Sequence, residues 1–312
     1  APAPSVGGGA GRRPSATGSR PSATGSRPAS SQRPASAAAP RPGTVRCVRM
    51  EPSRPLVAVV LAGGDRDDRL ALTVGAASKA LVPLRDVPMG AYVAHALRRS
   101  GVVDRIIWVG TSDATIRALI DVELPSGRRM VDSLSLGLGA ALVSAIEAGP
   151  GARVLLVTAD IPWWDEDGVR AFVRDAPDAD LVYPIVRREV SLARFPDQPR
   201  TFVRVRDGRF TGGNAVLLTP RAVPALLPVV DAAFHARKRP FTLAGLVGAG
   251  TLFGLLTGTV RIAAVEARVE ALLGVSARAY DSPDATIAAD VDHPDHLPAT
   301  LDLPVLTRPG PA

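Results

Sequence analysis

One lysine has a residue type and a position that suit phosphate chemistry. The chain has 312 residues and 37 Lys and Arg together, yet a count along the sequence finds only two lysines, Lys79 and Lys238. An ammonium group is a compact charge on a flexible stem and suits a phosphate oxygen, whereas a guanidinium is a wide planar fork. Lys79 follows an apolar run and the glycine pair Gly63-Gly64, which would let the backbone approach an anion closely. This arrangement favours a site for a nucleotide polyphosphate.

Two acidic motifs offer the oxygen ligands that Mg²⁺ takes in proteins. Asp160 lies in the run Thr-Ala-Asp-Ile-Pro, directly after a predicted strand. Asp290 and Asp292 lie in the run Asp-Val-Asp-His-Pro, where alternation along an extended segment would point both side chains the same way. Magnesium binds through one or two carboxylates together with substrate phosphate oxygens. An aspartate before a proline is also a common turn or cap residue, so a metal site is predicted only if the motifs meet at one edge of a sheet.

Alternating strands and helices are the elements that must bring these residues together. Leu56–Leu61 is a continuous apolar run, typical of a strand buried on both faces. Further strands are predicted at Arg105–Val109, Val154–Val157, Leu181–Val186 and Thr201–Val205, and helices at Met89–Arg99, Asp113–Ile120 with Ser112 as its cap, and Leu138–Glu147. This order predicts a three-layer α/β fold, with a mostly parallel mixed sheet covered by helices on both faces. Ligands bind beyond the carboxyl ends of strands in such sheets, which is where the glycine pair and both acidic motifs fall.

The last third of the chain has a different pattern. Residues 220–273 are mostly helical in pattern, interrupted by prolines and glycines, and predict a helical insertion at about residues 220–275 that serves as a lid or as a homodimer surface. Phe241–Val260 has no charged residue and is about as long as a membrane span. Its many glycines and threonines lower its hydrophobicity, and the motifs on either side of it must meet in one pocket. We therefore expect one or two buried helices there and no membrane span.

The first fifty residues differ in composition from the rest. They are rich in Pro, Ser, Ala and Gly, repeat one heptapeptide at residues 13–19 and 20–26, and carry eight Arg with no acid. Such a stretch predicts a disordered tail. Three interpretations of it compete: an organelle transit peptide, a basic tether for anionic partners, or residues upstream of a natural start at Met50, and we favour the third.

Residues 51–312 are expected to form a single domain. The whole chain is +7 and the tail contributes +8, so these residues sum to −1 and show no basic excess that would predict binding to nucleic acid. The single cysteine, Cys47, lies in the tail, so neither a disulfide framework nor cysteine chemistry is expected in the folded part. This favours a cytoplasmic location.

Six short motifs, in this order, resemble those of the MobA-like nucleotidyltransferases. They are Leu61-Ala62-Gly63-Gly64, Lys79-Ala80-Leu81, Pro88-Met89, Thr158-Ala159-Asp160-Ile161-Pro162, Thr211-Gly212-Gly213-Asn214 and Asp290-Val291-Asp292. The resemblance covers residues 55–300 or so and implies the GT-A-type fold of the nucleotide-diphospho-sugar transferase superfamily. It also implies that an NTP and an acceptor phosphate are joined with loss of pyrophosphate.

The resemblance assigns roles to individual residues. It implies that Asp160 and Asp292 bind Mg²⁺ and that Lys79 binds phosphate, so these three are the expected catalytic residues. The main-chain groups expected to hold the base and sugar are those of Leu61, Ala62, Gly63 and Gly64. Family members usually follow the double glycine with small residues and then Arg, whereas this chain continues Asp-Arg-Asp-Asp-Arg at residues 65–69. Arg69 is one position late for the phosphate-binding arginine, and Arg66 is the alternative.

Other polar and aromatic positions have both a functional and a structural interpretation. Ser135, Gly137 and Gly139, at a predicted helix start, are candidates for contact with the base edge. Gly213 and Asn214 are candidates for the acceptor, although Asn214 could equally close a strand turn. Of the adjacent pair Trp163-Trp164, one side chain could stack on an acceptor ring while the other is core. The four histidines, His95, His235, His293 and His296, are interpreted as surface or capping residues.

Two rival functions remain open at this level. A GT-A-type glycosyltransferase would keep the fold and transfer the sugar of a nucleotide-sugar. A nucleotide-binding regulatory module without catalysis is the other rival, because the acids at residues 65–68 would repel a triphosphate. The principal hypothesis is an Mg²⁺-dependent nucleotidyltransferase whose partners are an NTP and a phosphorylated small molecule.

Overall fold

The computed structural model describes residues 54–63, 68–127, 130–236, 248–304 and 306. All of these residues belong to one compact unit, Met50–Ala312. The expected disordered tail, Gly64 and residues 65–67 of the acidic run lie outside the described residues.

Nine strands of the described residues form one mixed sheet. They are β1 (Leu56–Leu61), β4 (Arg105–Val109), β5 (Val122–Leu124), β6 (Arg153–Thr158), β7 (Leu181–Arg187), β8 (Val203–Val205), β9 (Gly208–Gly212), β10 (Ala215–Leu218) and β11 (Ala277–Ser282), while β2 (Pro83–Leu84) and β3 (Val87–Pro88) form a separate hairpin. The strand order is β5-β4-β1-β6-β10-β7-β9-β8, and β11 pairs with β7. The pairs β5-β4, β4-β1, β1-β6 and β7-β11 are parallel, and β9 and β10 each pair antiparallel with β7. The mostly parallel mixed sheet is therefore confirmed.

Helices cover both faces of this sheet. They are α1 (Arg69–Val74), α2 (Met89–Ser100), α3 (Ala114–Arg117), α4 (Met130–Ala148), α5 (Glu166–Asp175), α6 (Arg188–Arg194), α7 (Ala222–Ala236), α8 (Ala249–Thr257) and α9 (Ile262–Leu273). Side chains of β1 alternate between two core clusters: Ala58 and Val60 pack with α2 and α5, whereas Val57 and Val59 pack with α4 and α7. Because the side chains of β1 are apolar on both faces of the sheet, helices pack against both faces, which gives a three-layered fold.

Some element boundaries differ from those predicted. The helix expected at Asp113–Ile120 is only the four-residue α3, and its cap is Asp113, whose carboxylate accepts the Ile116 N–H at 2.9 Å, rather than Ser112. An aspartate in extended conformation satisfies the free N–H groups of a first turn, so it starts the helix one residue later than a serine at 112 would. Helix α4 begins at Met130, well before the predicted Leu138. Ser135, Gly137 and Gly139 consequently lie within a helix and not at its start.

The helical region near the C-terminus is confirmed as α7, α8 and α9, but the prediction of buried helices across Phe241–Val260 is wrong for its described part. Residues 241–247 lie outside the described residues. In α8 the side chains of Phe253 and Leu256 are 67% and 80% exposed. Lack of charge indicated burial there, but α8 packs against the edge strand β8 and against α9 and leaves these two apolar side chains exposed.

One described helix is long and apolar enough to cross a membrane by length and composition alone. It is α4, over Val131–Ala148. Its Leu134, Leu138, Ala141 and Ala145 are buried against the sheet in the second core cluster. A core helix of an α/β domain meets the same criteria, and the packing of α4 accounts for its composition.

Candidate active site

Three charged side chains converge beyond the carboxyl ends of the central parallel strands. Asp160 follows β6 by two residues, Lys79 starts a 3₁₀ turn over Lys79–Leu81, and Asp292 follows the 3₁₀ turn Ala285–Ala288. Lys79 Nζ lies 2.6 Å from Asp160 Oδ2 and also contacts Asp292 Oδ1. The side chains of Lys79 and Asp160 are 14% and 20% exposed, while that of Asp292 is half exposed. Asp160 and Asp292 are 81 and 213 positions from Lys79 along the chain, and the fold brings all three to one point.

Asp160 is held in place from several directions. The N–H of the preceding Ala159 donates to Leu61 O at 3.1 Å, and Thr158 N–H donates to Asn214 O at 3.0 Å. The Thr158 hydroxyl donates to Asp160 Oδ1. Val291 N–H donates to Asp160 O at 2.9 Å, which joins the two acidic motifs through their backbones. The carboxylate is therefore fixed before any ligand binds.

Asp290 lies two residues before Asp292 and pairs with its own cation, Arg200. Arg200, whose side chain is 8% exposed, places Nη2 2.7 Å from Asp290 Oδ1, and Gln198 Nε2 donates to Asp290 O at 2.7 Å. Burial, together with the neighbouring Asp292, raises the pKa of Asp290 to about 6, while Arg200 acts in the opposite direction. Asp290 therefore has a supporting position, and Asp292 is the member of the pair that faces Lys79.

Asp292 stays ionised because its surroundings favour the charged form. The hydrogen bond from Asp290 and then the contact with Lys79 lower the pKa of Asp292 to about 2. Its backbone N–H donates to Nδ1 of His296 at 3.2 Å, and His296 is buried. The predicted capping role suits His296, but a surface position does not.

Lys79 remains protonated at this point. Burial acts to lower the pKa of Lys79, but the charges and hydrogen bonds of Asp160 and Asp292 outweigh burial, so the pKa lies well above its ordinary value. An ammonium that stays charged can neutralise phosphate oxygens at any physiological pH.

The main-chain turn after β1 is tightly enclosed. Ala62 N–H donates to Val109 O at 2.9 Å, and Leu61 O accepts from Ala159, so these two groups already have partners within the fold. Gly110 has a φ of +140°, and a Cβ there would lie 2.7 Å from the Ala62 carbonyl carbon. A Cβ on Gly63 would lie 2.8 Å from Ser126 Oγ. Gly110 and Ser126 are neighbours of the turn that the sequence analysis did not single out.

The contacts described for the other expected nucleotide-binding residues are with residues other than Lys79, Asp160 and Asp292. Arg69 is the exposed first residue of α1, and Asp68 caps that helix by accepting from Ala71 N–H at 2.9 Å. Ser135 Oγ donates back to Val131 O within α4. Gly137 faces the sheet, since a Cβ would lie 2.7 Å from Val59 Cγ1. For Gly137 the structure shows a packing role; nucleotide binding by these residues stays a prediction.

The candidate acceptor residues lie at a bulge beside Asp160. Gly212 pairs with Ile185 and Leu217 with Val182, so five steps along β9 and β10 match three along β7, which leaves two extra residues at Gly213-Asn214. The bulge allows Asn214 O to accept from Thr158 N–H. Gly213 packs against Pro184, where a Cβ would lie 2.8 Å from Cγ.

Both tryptophans of the pair Trp163-Trp164 belong to the core. Trp164 is 1% exposed, and Trp163, at 8%, packs its ring 5.2 Å from that of Phe195 and donates Nε1–H to Asp302 Oδ1 at 2.8 Å. Neither ring is free to stack on an acceptor. The suggestion that one of them does so is therefore wrong, because the turn after Ile161 directs both inward.

Asp160 and Asp292 supply carboxylate oxygens, which are the ligand type that Mg²⁺ takes in proteins. The two carboxylates lie close enough to share one ammonium group, so they converge on a single cation position. Within the described part of the chain no cluster of three or more His, Cys, Asp or Glu forms a metal cage. Two carboxylates with the remaining positions left to phosphate oxygens and water suit Mg²⁺ better than a metal that needs a full protein cage.

The family model described as the MobA-like NTP transferase domain matches residues 58–243. The chain belongs to this family. A solved structure of a hypothetical transferase from Thermus thermophilus is 40% identical, with a TM-score of 0.69, and the match covers 78% of this chain and 99% of that one. The family match includes Lys79 and Asp160 and ends before Asp292, so the place of Asp292 depends on the structure.

Two more distant solved structures also match the MobA-like chain. One is 2-C-methyl-D-erythritol 4-phosphate cytidylyltransferase, also from Thermus thermophilus, 16% identical, with a TM-score of 0.44 and coverage of 78% of this chain and 96% of that one. The other is 4-diphosphocytidyl-2C-methyl-D-erythritol synthase from Anaerococcus prevotii, 9% identical, with a TM-score of 0.48 and coverage of 80% and 97%. No curated protein matches the sequence significantly.

Proposed function

We propose that this MobA-like NTP transferase is an Mg²⁺-dependent nucleotidyltransferase that joins the NMP part of an NTP to a phosphorylated small molecule, either a sugar phosphate or a cofactor precursor, and releases pyrophosphate. The observation that carries the proposal is the convergence of Lys79, Asp160 and Asp292 at the carboxyl end of β6. Nucleotidyl transfer between two anions needs concentrated positive charge and little else.

The charges of the site support a metal. With every group ionised, Lys79 and Arg200 supply +2 and the carboxylates of Asp160, Asp290 and Asp292 supply −3, a sum of −1. A site of that charge would repel a triphosphate. Mg²⁺, when bound by Asp160 and Asp292, would reverse the sign and neutralise charge on the phosphate oxygens. Asp290 is already paired with Arg200 and is expected to orient the loop.

The remaining chemistry follows from the side chains. Lys79 would leave the carboxylates and move to the phosphates, where its flexible stem lets it follow the leaving pyrophosphate. An oxygen of the acceptor phosphate attacks the α-phosphorus in line, and the bond from that phosphorus to the pyrophosphate oxygen breaks. Because the attacking oxygen is already ionised, no general base is needed.

The test is pyrophosphate release by the full chain, with each of the four NTPs against a set of phosphorylated sugars and cofactor precursors, with and without Mg²⁺. Lys79→Met, Asp160→Asn and Asp292→Asn are each expected to lower turnover by about 100-fold or more, as loss of one preorganised charge does. Lys238→Met, the other lysine of the chain, and Asp197→Asn, an exposed aspartate, are the matched controls and should keep full activity.

Three results would contradict the proposal. Transfer from a nucleotide-sugar without pyrophosphate release would identify a glycosyltransferase. Tight nucleotide binding with no turnover on any acceptor would favour the regulatory module. Full activity in Asp160→Asn and Asp292→Asn would remove the metal pair from the mechanism.

A further inference from the structure

An apolar cavity lies between the sheet and the helices near the C-terminus. Its volume is about 580 Å³, within the range of about 300–1,000 Å³ that is usual for small-molecule sites. Strands β6 to β11 form its floor, and the start of α4 together with α7, α8 and α9 forms its walls. Two charged side chains, Glu266 and Arg278, belong to the described wall. Both already have partners, since Glu266 Oε1 accepts from Ala279 N–H at 2.8 Å and Arg278 contacts Glu270. The cavity therefore suits an uncharged, apolar group.

This cavity lies on the same face of the sheet as the carboxylate of Asp160. Leu156 of β6 lines the cavity and packs in the core cluster of α4 and α7. Because side chains alternate along a strand, Thr158 points to the same face, and its hydroxyl donates to Asp160 Oδ1. The Cα atoms of Leu156 and Thr158 are about 7 Å apart, the rise of two residues in a strand. A ligand with its phosphate at Asp160 can therefore extend its organic group over Leu156 into the cavity.

Two other wall residues are sequence neighbours of residues expected to bind the substrates. Gly212 precedes the candidate acceptor residue Gly213, and Leu134 precedes Ser135, a candidate for the base edge. The cavity thus begins between the expected positions of the acceptor and the nucleotide.

Tyr183 gives the floor of the cavity a polar group without a protein partner. It lies on β7 between Leu181 and Ile185, which line the cavity with it, and it is 39% exposed. Its hydroxyl makes no hydrogen bond with any described residue and lies over Gly212, where a Cβ would overlap it. Burial raises the pKa of Tyr183, so the hydroxyl remains a neutral donor. A ligand here would be mostly apolar, with a polar atom within reach of Tyr183.

We propose that this cavity holds an apolar organic group of the phosphorylated acceptor, so that the acceptor is an alkyl or aryl phosphate ester and not a free sugar phosphate. The phosphate of the ester would lie at Lys79, Asp160 and Asp292, and its apolar group would lie along the floor at Leu156 and Tyr183. We thereby take the ligand to be the acceptor of the proposed function, although binding of its apolar group can be measured without any reaction.

Methyl phosphate and hexyl phosphate are matched probes, because they share one charged group and differ only in five methylenes. Calorimetry on the full chain with Mg²⁺ and without NTP measures both affinities. Each fully buried methylene favours binding by about a factor of four, so hexyl phosphate should bind at least tenfold more tightly than methyl phosphate. Ribose 5-phosphate, which is polar throughout, should show no such gain. Phenyl phosphate in the same series distinguishes an aryl from an alkyl group.

A variant that fills the cavity should remove the preference for hexyl phosphate. Val265 lines the cavity from α9, whereas Ala263, two residues earlier, is exposed and does not line it. Val265→Trp should reduce the ratio of the two affinities to about one and leave methyl phosphate binding unchanged. Ala263→Trp, the matched control, should keep the full ratio.

An edge-strand variant covers the case in which Val265→Trp does not fold. Val203 lines the cavity from β8 and is 46% exposed, so a change there disturbs the core little. Val203→Asp places a carboxylate in the apolar wall and should lower the ratio several-fold. Thr201→Asp adds the same charge at an exposed position outside the cavity and should not.

The outcomes separate this ligand class from the proposed reaction. A hexyl preference that Val265→Trp or Val203→Asp removes supports the cavity even if no NTP yields pyrophosphate, a result that contradicts only the reaction. Equal affinities for methyl and hexyl phosphate overturn the assignment of the cavity, even if ribose 5-phosphate supports turnover. A hexyl preference that both cavity variants retain overturns it as well. Equal affinities in a dimer that Val203→Asp dissociates would show that a second copy of the chain covers the cavity, which also overturns it.

Discussion

Replacement of Lys79 by methionine should have opposite effects on metal binding and on catalysis. In the ligand-free protein, Lys79 Nζ lies between Asp160 and Asp292 and contacts both. The two carboxylates proposed to bind Mg²⁺ thus already share one ammonium group. Any metal that binds before the nucleotide must displace that ammonium, so the lysine and the metal compete for the same oxygens.

The size of the effect follows from burial. A hydrogen bond to a charged group contributes about 1.5–3 kcal/mol when buried, and an exposed pair contributes about 0.2–1 kcal/mol. The Asp160 contact is largely buried, while Asp292 is half exposed. Lys79→Met should therefore destabilise the metal-free protein by about 2 kcal/mol, and the Kd for Mg²⁺ alone should fall by roughly tenfold, since 1.4 kcal/mol corresponds to a factor of ten.

Calorimetry with Mg²⁺ and no nucleotide measures the first effect, and pyrophosphate release measures the second. Lys79→Met should bind Mg²⁺ more tightly and yet lose turnover, because the ammonium is needed once phosphates arrive. Lys238→Met should change neither quantity. An unchanged or weaker affinity for Mg²⁺ in Lys79→Met would refute the idea that the metal and the lysine share Asp160 and Asp292.

Three further outcomes are expected. Gly137→Ala should destabilise the protein by about 1–3 kcal/mol, because the new Cβ overpacks against the sheet. Gly139→Ala has nothing within 4 Å of the new Cβ and should stabilise the protein by up to about 1 kcal/mol. Urea unfolding measures both changes. Burial acts to raise the pKa of Asp180, but hydrogen bonds from Thr219 and Ser276 outweigh it and lower the pKa. The ionised carboxylate therefore stabilises the folded protein above about pH 4, and this stabilisation is lost as the pH falls through the folded pKa. Asp180→Asn should lower the free energy of unfolding by about 1–2 kcal/mol at pH 7 and by less at pH 3, whereas Asp197→Asn should leave it unchanged at both. Thr158→Val should lower turnover by about tenfold with unchanged unfolding, and Thr158→Ser should restore it, since the hydroxyl only orients Asp160.

The layers of the fold could be predicted from apolar periodicity. Leu56–Leu61 is apolar throughout, and the structure buries it on both faces at the centre of the sheet. Helix ends were less predictable, because they depend on single polar residues: Asp113 and Ser112 are both good caps, and tertiary contacts decide between them. The exposed face of α8 could not be predicted, since a segment without charges is expected to be buried and only the surrounding layers show that it is not.

The sequence predicted the three charged residues that meet at the site, but not the residues that hold them in position. Lys79, Asp160 and Asp292 each lie in a short motif, and the rule that ligands bind beyond strand ends is enough to expect them together. Arg200 and Gln198 belong to a loop without a motif, and they reach Asp290 only through the tertiary fold. The hydroxyl of Thr158 was within the motif, and its position two residues before Asp160 was the one signal that could have identified it.

Composition explains which basic residues could be recognised. With 37 Lys and Arg and only two lysines, each lysine is informative, whereas any one of the 35 arginines is not. Arg200 and Arg153 are among the most buried arginines in the described chain, and nothing local to their sequence distinguishes them. What separates them is pairing: Arg200 has Asp290, and Arg153 has no described partner for two of its nitrogens. Since burial of a charge is tolerated only when something compensates it, pairing distinguishes these two arginines, which the sequence of an arginine-rich chain cannot do.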